Sequence, residues 1–198
     1  MSGVRVFRLG KLTSGAAAAC VGIAIVAVPV AGAAVASHPL STAPAWKIRH
    51  PLSVKGADGR LGAESCVGVS FCMAVGSSGS NVLVETLNGR SWSVRSSPAT
   101  ADGEAVTPTA VVCTATTDCL VVGYDTTSDG EGPFASSWNG TTFSNKPLPS
   151  RAGSDDGSLS AVSCASATSC MAVGSVRIGS EEQPAADSWN GSRWQLQL

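Results

Sequence analysis

Three copies of one unit constrain this chain more than any other feature of its sequence. Asn-Gly occurs at Asn88-Gly89, Asn139-Gly140 and Asn190-Gly191, 51 positions apart each time, and an aromatic residue follows at the same offset: Trp92, Phe143 and Trp194. Each unit also carries a cysteine pair with five residues between, Cys66/Cys72, Cys113/Cys119 and Cys164/Cys170, followed by Met-Ala-Val-Gly in the first and third copies and Leu-Val-Val-Gly in the second. The step from the aromatic residue to the next first cysteine is 21 positions for both Trp92 and Phe143. Trp46 stands 20 positions before Cys66, so "AWKIRHP" reads as the last strand of an otherwise missing unit. A unit this short cannot bury a hydrophobic face alone, so repeated units must stack on one another.

Within a unit the local signals are strand and turn. "LSAVSC" and "CMAVGSV" are short, rich in small and β-branched residues, and joined by five polar or small residues, which predicts a hairpin. "PAADSWNGSRWQLQL" predicts a second, with Asn-Gly as the two positive-φ residues of a type I′ turn. Four short strands per unit, with no helical period after the N-terminal segment, predict an all-β fold: a β-propeller-like array of three four-stranded blades (61–108, 109–158 and 159–198) plus an orphan strand within a lead-in at 37–60.

The hairpin explains the cysteines. Directly opposed residues of an antiparallel pair lie within disulfide reach, so cysteines flanking a five-residue loop can bridge. The expected pairs are Cys66 with Cys72, Cys113 with Cys119 and Cys164 with Cys170, each worth about 2 kcal/mol in the chain-entropy model. Structural zinc is the competing use of paired cysteines, but it favours shorter spacings, and the only histidines, His38 and His50, lie outside the repeats. No metal or cofactor is expected.

The first 36 residues are a separate object. Arg5, Arg8 and Lys11 precede an uncharged apolar run from Ala16 to Val35, and Ala34-Val35-Ala36 offers a small-x-small cleavage site before Ser37. This is the pattern of a secretory signal peptide; left uncleaved, the run is long enough to anchor the chain in a membrane. Secreted or envelope localisation is expected, and oxidising surroundings there suit disulfides. Beyond Ala36 remain ten basic and fourteen acidic side chains, a net charge of −4, which offers no basic footprint for nucleic acid.

The units resemble those of secreted bacterial, especially actinobacterial, β-propeller repeat proteins, which read approximately S-C-x5-C-x-A-V-G and then W-N-G-x-x-W. The resemblance spans about Trp46 to Leu198 and implies a repeat type rather than an activity. A looser similarity connects the chain to propellers of the neuraminidase and photosystem-assembly-factor types. Their S-x-D-x-G-x-x-W box is missing here, Ser154-Asp155-Asp156-Gly157 having the wrong spacing and no tryptophan after it. The second unit departs from the pattern at Val112 and Phe143.

Catalytic motifs are scarce. No G-x-S-x-G occurs, neither histidine lies within the repeats, and Tyr124 is the only tyrosine. The tryptophans recur at fixed repeat positions, as packing residues do. Carboxylates are more informative. In four-stranded blades the C-x5-C and Asn-Gly turns emerge at one end and the variable connections at the other. Those connections carry Asp102, Glu104, Asp125, Asp129, Glu131, Asp155, Asp156, Glu181 and Glu182 against Arg151 and Arg177. They predict an acidic loop face suited to a basic partner, a polyvalent one or calcium. The expected function is a secreted, non-catalytic binding or scaffold module for a protein or glycan. A glycan-acting hydrolase using paired carboxylates and a structural envelope component are the alternatives. Three blades are too few for a propeller ring, which predicts a homodimer of six.

Overall fold

The structure is a computed structural model that describes residues 58–79, 81–100, 105–127, 130–151 and 156–197. All belong to one compact unit, Lys47–Leu198. The expected signal segment, the orphan strand at Trp46, and Asp102, Glu104, Asp129 and Asp155 lie outside the described residues.

The described residues form twelve strands and no helix: β1 (Gly59–Val67), β2 (Phe71–Ser78), β3 (Asn81–Asn88), β4 (Ser91–Val94), β5 (Ala105–Ala115), β6 (Asp118–Thr127), β7 (Gly130–Trp138), β8 (Phe143–Asn145), β9 (Asp156–Ser166), β10 (Ser169–Ile178), β11 (Glu181–Trp189) and β12 (Trp194–Leu196). They pair in sequence order into three four-stranded antiparallel sheets, β1–β4, β5–β8 and β9–β12. Each sheet thus holds one copy of the repeated cysteine pair and Asn-Gly motif, and its first strand begins ahead of the expected bounds, at Gly59, Ala105 and Asp156.

Each cysteine pair joins directly opposed residues. Cys66, Cys113 and Cys164 face Cys72, Cys119 and Cys170 in register, with Cα separations of 4.0, 4.0 and 3.9 Å, and all three disulfides are formed. The aromatic positions also pair across their hairpin: Trp138 with Phe143 at a ring separation of 5.0 Å, and Trp189 with Trp194 at 5.5 Å. Trp138, Trp189 and Trp194 are buried, which accounts for their periodicity as packing.

The sheets stack face to face through two apolar layers. Met73, Val75 and Val84 of the first sheet meet Val111, Cys119, Val121 and Trp138 of the second. Leu120, Val122 and Ala135, on the other side of that second sheet, meet Leu159, Cys170, Ala172, Trp189 and Trp194 of the third. Alternation along β6 sends Cys119 and Val121 one way and Leu120 and Val122 the other, so the middle sheet is covered on both faces. Polar contacts also tie the layers together. The Ser65 hydroxyl accepts the Cys113 N–H at 2.9 Å, and the Thr109 hydroxyl reaches the Leu159 carbonyl of the third sheet.

Two local expectations change. In the first sheet Asn88 pairs with Ser91, so the turn residues are Gly89 and Arg90 rather than Asn-Gly. In the other two sheets Asn139 and Asn190 stand just before the turn glycine. Each side-chain oxygen accepts two backbone N–H groups, from Thr141 and Thr142 and from Ser192 and Arg193. Asparagine therefore braces the turn, and glycine supplies the positive φ. Second, Asp125, Glu131, Asp156, Glu181 and Glu182 lie in strands rather than loops. The ladder between β10 and β11 runs out to Ile178 and Glu181, leaving Gly179 and Ser180 as the turn.

Candidate functional site

The variable end of the stack is formed by the last residues of β2, β6 and β10 and the first residues of β3, β7 and β11, with the starts of β1, β5 and β9 beside them. Strand pairing fixes its side chains. Arg177 on β10 is the register partner of Asp156 on β9 and of Glu182 on β11, so a cation stands between two carboxylates across three strands. Its Nε lies 3.0 Å from Asp156 Oδ2. Glu131 of β7 reaches the same place from the second sheet. Together these four line a polar cleft of about 130 Å³, along with Ser158 and Ser175. That volume suits an ion or one protruding head group and is small for a bound sugar.

Asp125 belongs to the same end but does not line this cleft. Burial raises its carboxyl above the ordinary value of 3.8, partly offset by hydrogen bonds from the N–H of Gly132 and from its own N–H. The Gly132 bond measures 3.1 Å, and a β-carbon at Gly132 would crowd the same oxygen. Glu181 accepts from the Gln183 amide at 3.4 Å. The structure thus gathers Glu131, Asp156 and Glu182 around Arg177, with Asp125 and Glu181 apart from the cleft. Among the described residues no group of three His, Cys, Asp or Glu is arranged to hold a metal ion.

Arg151 lies elsewhere than its place in the chain suggests. Its Nη2 is 2.6 Å from Oδ2 of Asp187, a fully buried carboxylate on β11. Asp187 is the 51-residue counterpart of Ser136 and Glu85, which are also fully buried. Of the two bases expected to offset the acidic end, one is therefore withdrawn into the stack and the other is paired with Asp156.

A second cleft, of about 400 Å³, opens between the first and second sheets. Arg60, Ser77, Asn81 and Thr107 line it with Gly62 and Gly79. Its signal in the sequence is a size difference: where the first unit has Gly62 and Gly79, the second has Thr109 and Thr126 and the third has Ser160 and Arg177. Compared with known families and with curated proteins, the chain matches none.

Proposed function

We propose that this protein is an exported, β-propeller-like repeat module, without catalysis of its own, that binds a cationic protein segment at the variable end of its sheets. The observation that carries the reading is the cluster of Glu131, Asp156 and Glu182 around the single cation Arg177. Its carboxylates stand on paired strands, so presenting them to a partner costs little ordering entropy. Withdrawal of Arg151 to Asp187 removes one of the two bases expected to offset these acids. Export is supported by the three disulfides, which fit an oxidising compartment, together with the signal-like N-terminal segment. The mature protein is proposed to begin at Ser37, which intact mass would report.

Titration with a short lysine oligomer tests the binding reading. Affinity should fall steeply as salt rises, and the triple variant Glu131→Gln, Asp156→Asn, Glu182→Gln should bind at least about tenfold more weakly at the same salt. Unchanged affinity in that variant, or no binding at low salt, would overturn the reading.

A further inference from the structure

Equivalent repeat positions meet opposite fates along the stack. Met73 and Leu120 are 0% and 3% exposed, whereas their counterpart Met171 is 42% exposed; Val75 and Val122 are fully buried, whereas Val173 is 43% exposed. Cross-strand register places Met171 and Val173 on one face of the third sheet beside Ala161 of β9 and Ala186 of β11. In the first two sheets this face is covered by the sheet that follows. The outward face of the first sheet, at the other end, is already buried: Ala74, Leu83 and Leu87 are 3%, 5% and 9% exposed. Among the described residues the three sheets therefore leave one open apolar face.

We propose that this face is a self-association surface, on which two chains pair third sheet to third sheet about a two-fold axis, with Met171 and Val173 packed against the same residues of a second copy. Three observations select that occupant. The layers already formed show what this repeat's faces fit, namely another sheet of the same repeat, with aliphatic side chains interdigitating. One open face per chain makes the contact self-complementary and stops it at two copies, whereas a six-sheet ring would need the first sheet's outward face open as well. The rim of the patch carries both signs, Asp156 and Glu182 beside Arg177, so a two-fold repeat can set guanidinium against carboxylate. From strand length and spacing the face offers about 500 Å² per chain, or roughly 1,000 Å² in all, the low end for a specific interface. The dimer is accordingly weak and concentration-dependent.

Sedimentation of the full exported chain with disulfides intact tests the proposal. The weight-average mass should rise from one chain to two between roughly 1 µM and 1 mM, the range where weak interfaces operate. Met171→Lys should weaken association at least about tenfold, while Val69→Lys, on a fully exposed turn, should leave it unchanged. Met171→Cys should cross-link to itself under oxidation, because a two-fold axis brings equivalent residues together. Chains that remain single at every concentration, with the Met171→Cys thiol shielded from reagent, would assign the face to the chain's own N-terminal segment and overturn the proposal. Single chains with a reactive thiol, a dimer indifferent to Met171→Lys, or growth beyond two copies would overturn it equally.

Discussion

At Gly76, Gly123 and Gly174 a β-carbon would collide with the carbonyl oxygens of Arg60, Thr107 and Ser158. The cause is a bulge in the first strand of every sheet, at Gly62, Thr109 and Ser160, which pushes that carbonyl toward the second strand. The glycine of Ala-Val-Gly is thus a steric requirement of the fold. Gly123→Ala should cost about 2–3 kcal/mol in urea unfolding, as overpacking against fixed backbone does, while Gly68→Ala, with open space around it, should cost less and only through its positive φ. Arg151→Ala would strand the buried Asp187 carboxylate, and a loss of about 3 kcal/mol or more is expected in the same measurement. Asp125 acts in the opposite sense to most carboxylates. Because burial raises its pKa in the folded state, its contribution favours folding below the ordinary value of 3.8 and is lost as pH rises through the raised value. Asp125→Asn, which keeps an acceptor for Gly132, should melt higher than the parent at pH 7 and show no advantage at pH 3. An advantage that persists at pH 3 would place the effect elsewhere.

Each disulfide closes the same short hairpin, yet the three sit in different surroundings. Cys119 is buried in the layer between the first and second sheets and Cys170 in the next, whereas Cys66 is exposed. Loop-closure entropy is equal for all three, about 2 kcal/mol, so packing separates them. Replacing Cys113 and Cys119 by Ala should cost about 1 kcal/mol more than replacing Cys66 and Cys72, through the lost contacts of buried sulfur. Equal losses in denaturant titrations would mean that the layers repack around the missing bridge. The hairpins themselves are legible in the sequence, because a six-residue cysteine spacing and alternating apolar residues are local signals. The outer hairpin ends are not. Strand pairing carries Glu181 and Glu182 into the ladder although their side chains look like those of a loop, since at an exposed edge backbone pairing costs polar residues nothing.

Over the whole molecule, burial follows position in the stack rather than position in the repeat. Leu120 in the doubly covered middle sheet is 3% exposed, and Leu120→Ala should cost about 3 kcal/mol. Met171 occupies the same repeat position on the open face, and Met171→Ala should cost under about 1 kcal/mol when unfolding is followed in dilute solution. Comparable losses would show that the third sheet is covered when the chain is alone.

What the sequence determined by itself was the unit, the strand count per unit and the cysteine partners, because each follows from short-range spacing and a side-chain period of two. Tertiary structure alone decided which apolar residues are inside. Met-Ala-Val-Gly occurs unchanged at Met73–Gly76 and Met171–Gly174, yet the first methionine is sealed by a neighbouring sheet and the second faces outward. It likewise decided that Arg151 neutralises Asp187 rather than the acidic end, since a counterion is chosen by proximity in the folded stack across 36 residues of chain. A repeated motif specifies the chemistry of a face; only the presence or absence of the next layer specifies whether water touches it.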